Sequence, residues 1–217
     1  MKRRLARWAT GLLVITAGVV LVSGQWTDPW LWAYVILWAL VSLHALTSLD
    51  DDLARERFHP PESSADHAAL HVIRAIALAH LLVGALDTGR LHWTSVPSGL
   101  RLAGLIGMGV SSLLVFRAML SNRFFSAVVR IQKDRGHRVI DAGPYAMVRH
   151  PGYAGMIVVA PMSGLALGSW ISVGLALIYS ALILRRVFFE DAFLRRNLEG
   201  YDAYARRVRY RLVPGVF

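Results

Sequence analysis

The sequence predicts an all-α integral membrane protein of about five to six transmembrane helices, the last two forming a helical hairpin. Three observations predict it. The 217 residues are 55% hydrophobic and 18% charged, with a mean hydropathy of +0.46, toward the apolar side of ordinary globular composition. The apolar residues fall in runs close to the ~20 residues that cross hydrocarbon. The basic residues are sorted: of 24 Lys and Arg, all but Arg74, Arg90, Arg101 and Arg117 lie in segments that an up-and-down topology puts on one side, and only Arg90 and Arg101 face the other. Cytoplasmic segments carry such an excess, so both termini are expected in the cytoplasm. The net charge of +10 then reports orientation, and nucleic-acid binding has no recognition motif to support it.

The elements follow in order. A basic start, Met1 to Arg7, leads into an apolar run from Trp8 to Val22. It lacks an Ala-x-Ala cleavage site and a second apolar run follows at once, so a retained first span is expected, not a signal peptide. Pro29 suits a first helical position, and Pro29 to Leu49 forms the second span. Asp50 to Asp66 is polar, carries Pro60-Pro61 and reads as a loop with one helical turn at Leu53 to Phe58. Ala68 to Leu86 and Ser98 to Leu120 are the third and fourth spans.

Along the fourth, Ala103, Gly107 and Ser111 recur at the small-xxx-small spacing that lets backbones approach. The Gly104-x-x-Gly107-x-Gly109 cluster is packing, not a nucleotide fingerprint, which would need a strand before it. Ala154 to Phe189 would be roughly 54 Å long as one helix, too long for a ~30 Å core. Gly168-Ser169-Trp170 breaks it into a hairpin with a short first arm, 154–167. Trp26, Trp30, Trp93 and Trp170 all fall at the interface opposite the basic side, as an aromatic belt. The chain divides into a four-helix region, 1–120, and a region carrying the chemistry, 121–217.

That chemistry centres on Gly143 to Gly155, which sets Pro144, Pro151 and three glycines between apolar segments. Proline fixes its own φ and drives the preceding residue, Gly143 or His150, out of the helical region. The expected result is a rigid polar corner displaying Tyr145, Arg149, His150 and Tyr153. Arg186 and Glu190 lie one turn apart on a returning helix and share a face. Beyond them Tyr201, Tyr204 and Val208 mark one side of a short helix ringed by Arg206, Arg207, Arg209 and Arg211, a segment that by itself reads as lying on anionic headgroups. Asp66, His67 and His71 suggest two ligands on one helix face but no third, so no metal is expected. His44 and His80, within spans, are expected to make interhelical hydrogen bonds. With no cysteine and no Gly-x-Ser-x-Gly, thiolate and serine-hydrolase chemistry lack support.

Gly143-Pro144-Tyr145 through Arg149-His150-Pro151-x-Tyr153-x-Gly155, then Arg186-x-x-x-Glu190-Asp191-x-x-Leu194, Tyr201-x-x-Tyr204 and Arg209-x-Arg211-x-x-Pro214 together resemble the isoprenylcysteine carboxyl methyltransferase family, whose superfamily also takes in phospholipid N-methyltransferases. Asp52-Leu53-x-x-Glu56-Arg57 adds weaker support. The resemblance implies an S-adenosylmethionine-dependent membrane methyltransferase whose cofactor lies on the cytosolic side, in a pocket closed by the C-terminal tail. Carried over by position, Gln132, His137, Arg138, Val139, Ile140, Tyr145, His150, Pro151, Gly152, Tyr153 and Glu190 would line the cofactor, with Arg186 facing the acceptor. Asp191 stands where the family often has a second glutamate.

The implied reaction is attack of a carboxylate, amine or thiol of a lipophilic or lipid-anchored acceptor on the sulfonium methyl. A carboxylate needs only positioning and desolvation; an amine or thiol needs a base, for which His150 is the nearest candidate. The other readings are a non-enzymatic membrane scaffold or transport protein, and a membrane reductase on a related scaffold.

Overall fold

The computed structural model describes residues 2–58 and 67–217. Its described residues form eight α-helices, with no strand among them: α1 (Lys2–Ser23), α2 (Pro29–Ser48), α3 (Asp51–Phe58), α4 (His67–Leu86), α5 (Ser98–Ser121), α6 (Pro151–Leu167), α7 (Trp170–Asn197) and α8 (Tyr201–Arg207). Five helical segments among the described residues are long and apolar enough to cross a membrane, and α6 is a shorter apolar helix between two of them. The chain is an integral membrane protein.

Helix ends sit where the sequence supplies caps. The Asp28 carboxylate accepts from the Trp30 amide and Pro29 is the first residue of α2. The Asp50 carboxylate accepts from the Leu53 amide at 2.7 Å, so α3 begins at Asp51 and runs two turns, longer than the single turn expected. Gly168, at φ +94°, closes the hairpin between α6 and α7, a left-handed conformation that glycine adopts without steric cost. Pro151 opens α6 three residues earlier than expected, giving the short arm 17 residues, roughly 25 Å of helix.

The centre is a row of four helices, α5 against α6, α6 against α7, and α7 against α4, with α1 packed on α4 and α2 on α5. The closest approach is between α5 and α6. A Cβ on Gly104 would meet the Ala166 nitrogen at 2.5 Å, and one on Gly155 the Ser111 carbonyl at 2.8 Å. The small-residue stripe that packs is therefore Gly104, Gly107 and Ser111; Ala103, assigned to it from spacing alone, faces outward.

Midway along these helices the polar groups close on one another. His80 on α4 bonds the Ser163 hydroxyl through Nε2 at 2.9 Å and the Ser172 hydroxyl through Nδ1 at 2.8 Å, and Ser163 reaches the Tyr34 hydroxyl at 2.8 Å. Four helices are tied by one buried network, as expected of His80. His44 instead packs edge-on against Phe116, with ring centroids 5.8 Å apart. At the end away from the basic segments, fully buried Asp87 accepts from Ser169 and from the Thr94 hydroxyl and amide. Arg101 donates to the Ala166 and Leu167 carbonyls at the end of α6 and stacks its guanidinium over Trp30 at 4.9 Å. Asp66 and the side chain of His67 lie outside the described residues, as does Pro60-Pro61.

Candidate active site

At the opposite end, the connector 122–150, the start of α6, the end of α7 and the tail from α8 onward enclose a cavity of ≈ 1060 Å³, part of it open to solvent. The corner folds as its prolines dictate. Gly143–Ala146 is a 3₁₀ turn with Pro144 as its second residue, and His150, at φ −129° and ψ 59°, lies outside the helical region immediately before Pro151.

Arg149 and His150 are not displayed on this corner, as the sequence suggested; they are 4% and 5% exposed. Arg149 forms two bonds to Asp191, Nε to Oδ1 at 2.7 Å and Nη2 to Oδ2 at 3.1 Å, while Nη1 donates to the Val208 and Arg209 carbonyls. Asp191 also accepts from Tyr201 at 3.0 Å, from Arg211 at 3.2 Å and from Arg195 at 3.4 Å, and faces His150 Nε2 at 3.3 Å. The corner amides of Arg149 and His150 donate to the Tyr210 and Arg211 carbonyls, each at 2.9 Å. One buried carboxylate thus fastens corner, helix and tail together. The shorter aspartate matters here because it keeps this carboxylate close to the α7 backbone.

Glu190, its neighbour, points into the cavity. It accepts from the Tyr153 hydroxyl at 2.6 Å, and that hydroxyl accepts from Arg186 Nε at 2.8 Å. Arg186 Nη2 is held by the Ala127 carbonyl at 2.6 Å. The two residues one turn apart on α7 therefore share the cavity face, as their spacing implies.

The cavity has two ends. Around Glu190 lie polar and aromatic groups: Gln132, the His137–Ile140 backbone, Tyr145, His150, Tyr201 and Tyr204. The Gln132 amide is 1% exposed and donates to the Phe124 carbonyl at 2.7 Å, so it shapes the wall instead of reaching inward. The His137 ring lies 4.6 Å from Phe124, and burial pulls its pKa below the ordinary imidazole value, leaving it neutral at neutral pH. Burial raises the Tyr145, Tyr201 and Tyr204 hydroxyls, which stay protonated; the Tyr204 hydroxyl donates to the Tyr145 carbonyl at 2.8 Å. The other end runs in among the helices, lined by Leu70 and Ile73 of α4, Met156 of α6, and Tyr179 and Ile183 of α7. Pro151 does not line the cavity; it is fully buried as the first residue of α6.

Helix α3 braces the connector. Glu56 accepts from Arg130 Nε and Nη2 at 3.1 and 2.8 Å and from Ser126 at 2.7 Å; burial opposes its ionisation, but these bonds win and hold it below the usual glutamate range.

Residues 105–196 match the family described as the isoprenylcysteine carboxyl methyltransferase family. That segment contains the corner, Arg186, Glu190 and Asp191. That match covers 92 of the 217 residues, less than half of the chain. The chain's relatives include a "Probable protein-S-isoprenylcysteine O-methyltransferase" of Oryza sativa subsp. indica, 32% identical over 106 residues, covering 48% of this chain and 54% of that protein. A "Nickel-cobalt-cadmium resistance protein NccN" of Alcaligenes xylosoxydans xylosoxydans is 29% identical over 130 residues, 57% of this chain and 55% of that one. The chain spans about half the length of these curated relatives. A eukaryotic intramembrane Ras methyltransferase structure superposes with a TM-score of 0.56 at 17% identity, covering 98% of this chain and 76% of that one, a likeness of fold.

Of the residues assigned through the family resemblance, all but Pro151 line one cavity. Sequence reasoning missed Asn122, which hydrogen-bonds Tyr145, along with Phe124 and Tyr179. Tyr179 had a signal, being a tyrosine seven residues, two helical turns, before Arg186 on the same helix. It treated Asp191 as a companion of Glu190, whereas the two carboxylates point to different tasks.

Proposed function

We propose that this protein is an S-adenosylmethionine-dependent methyltransferase acting on a lipophilic, membrane-held acceptor of the isoprenylcysteine type. The observation that carries this reading is a single cavity that runs from a polar, aromatic end into an apolar end among the spans, with Arg186 and Glu190 at the junction. The name of the rice relative supports it. The excess of basic residues at this end supports a cytoplasmic placement.

The residues present suit the cofactor. Glu190 offers the only carboxylate among the described cavity-lining residues, placed to neutralise an ammonium, and the tyrosine rings offer flat faces for a purine or a sulfonium. The His137–Ile140 backbone supplies hydrogen-bonding groups beside them. When bound, the cofactor supplies an electrophilic methyl group on a sulfonium. Arg186 orients the acceptor, held in turn through Tyr153 and the Ala127 carbonyl. The apolar end takes the lipid portion and excludes water from the acceptor's reacting group. His150 holds its Nε2 toward Asp191 and Tyr201, which makes it a fastener of the tail, and a carboxylate acceptor needs no base.

Calorimetric titration of S-adenosylhomocysteine into detergent-purified protein tests this. Wild type is expected to bind and Glu190→Gln to bind at least tenfold more weakly, the weight of a charge-assisted bond. A folded wild type that does not bind would overturn the reading.

A further inference from the structure

Arg57 is the last arginine of α3, one residue after Glu56, and it lines the same cavity as Arg186. Its guanidinium lies over the Phe125 ring at 5.6 Å, where Phe125 packs against Gly152 and the Ile73–Met156–Ile183 cluster, at the boundary between the cavity's polar and apolar ends. Three other arginines at this end are spoken for by carboxylates: Arg130 by Glu56, Arg149 by Asp191, Arg135 by Asp52. Among the described residues no carboxylate lies within ion-pair distance of Arg57, and the charges close enough to act on it are the cations Arg186 and Arg74. Burial and these cations lower its affinity for a proton, and only the Tyr179 and Tyr153 hydroxyls act the other way. A partly buried cation beside other cations is unfavourable unless an anion comes to it.

We infer that Arg57 is the second cation of an anion subsite at this boundary, and that the acceptor's carboxylate is held between Arg57 from α3 and Arg186 from α7. The inference rests on the methyltransferase reading and deepens it by assigning a binding residue from outside the segment that matches the family. Its chemistry is sufficient. An ionised carboxylate offers about four lone-pair sites; two parallel bonds to one guanidinium and one to the other leave a lone pair free to form the new carbon–oxygen bond, while the carbon–sulfur bond breaks and its electrons stay on sulfur. No proton moves. A cationic amine would be repelled from the same place, so the pair selects anionic acceptors.

The test uses the full chain in nanodiscs, with three probes: S-adenosylhomocysteine, an N-acetyl-S-prenylcysteine, and the carboxamide of that prenylcysteine, which keeps the lipid but lacks the anion. Arg57→Gln is expected to raise the KM for the prenylcysteine and weaken its binding by about tenfold or more. It should leave the S-adenosylhomocysteine affinity within about twofold and carboxamide binding unchanged, with Arg57→Lys restoring part of the loss, since it keeps the charge without the fork. Equal weakening of both lipid probes, or no change in either, would overturn the inference alone. So would a selective loss of S-adenosylhomocysteine, which would assign Arg57 to the cofactor's own carboxylate. A wild type that binds no S-adenosylhomocysteine would overturn the methyltransferase reading and this inference together. Thermal melting of each variant in the same nanodiscs separates a binding loss from a folding loss.

Discussion

Two regions of the molecule bury polar side chains among apolar helices, and they differ in how their bonds are completed. Between the spans, His80, Ser163, Ser172 and Tyr34 satisfy one another. At the cavity end, Arg57 has no carboxylate partner among the described residues, and Glu190 is bonded to Tyr153 yet still lines open space. A closed network ties helices together and does little else, because every donor already has its acceptor. A network left with unmatched charge stores a demand that a ligand answers. Asp191 shows both arrangements in adjacent residues, since it is fully engaged while Glu190 beside it faces the cavity.

The strongest way to break this contrast is Asp191→Ala. It would leave Arg149 buried without its carboxylate and release Arg211 and Arg195, and losing one partner of a buried pair costs about 3–5 kcal/mol. The expected result is a sharply lowered melting temperature and loss of S-adenosylhomocysteine binding, read by calorimetry on the same sample. Retained binding would mean the tail is not what shapes the cavity.

His80→Ala is the counterpart in the closed network. It orphans the hydroxyls of Ser163 and Ser172 and should cost about 1–3 kcal/mol, the penalty for leaving buried polar groups unmatched. Cofactor affinity should not change. A change there would show that the two regions are coupled through α6 and α7.

The Glu56–Arg130 contact gives a smaller, pH-dependent effect. Glu56 has a folded-state pKa depressed below the ordinary 4.5, so its contribution is complete above that value and is lost as pH falls through the folded-state value. Glu56→Gln should melt about 1 kcal/mol less stably than wild type at pH 7, and the gap should narrow on acidification below pH 4.5. A gap independent of pH would assign the loss to packing.

The smallest effect on stability is expected at Arg57. Since no ion pair to it among the described residues is lost and the Met side chain can still pack on Phe125, Arg57→Met should change stability by no more than about 0.5 kcal/mol or raise it, the reverse of His80→Ala. Destabilisation by more would show that Arg57 supports the fold.

Much of the fold was legible because hydropathy, proline and glycine act locally. The spans, the hairpin break at Gly168 and the corner before Pro151 each follow from residues within a few positions. The stripe on α5 was legible in kind but not in register: spacing cannot distinguish Ala103 from Gly104 until α6 is in place. The site was legible through motif residues that converge, including Arg186 and Glu190 at helical spacing. What escaped were partnerships between distant segments. Nothing near Arg149 reveals that its guanidinium will meet the carbonyls of Val208 and Arg209, or that Arg57, 129 residues before Arg186, shares a cavity with it.

The backbone bonds from the Arg149 and His150 amides to Tyr210 and Arg211 also set an order of events during synthesis. Every span among the described residues precedes residues 208–211 in the chain, so the spans can be threaded before those residues dock on the corner. Until those residues emerge, the corner has amides without acceptors and Asp191 lacks Arg211. A nascent chain can therefore be fully threaded through the bilayer yet have no finished cavity. Completion of the site therefore follows insertion of the spans and waits on the docking of residues 208–211.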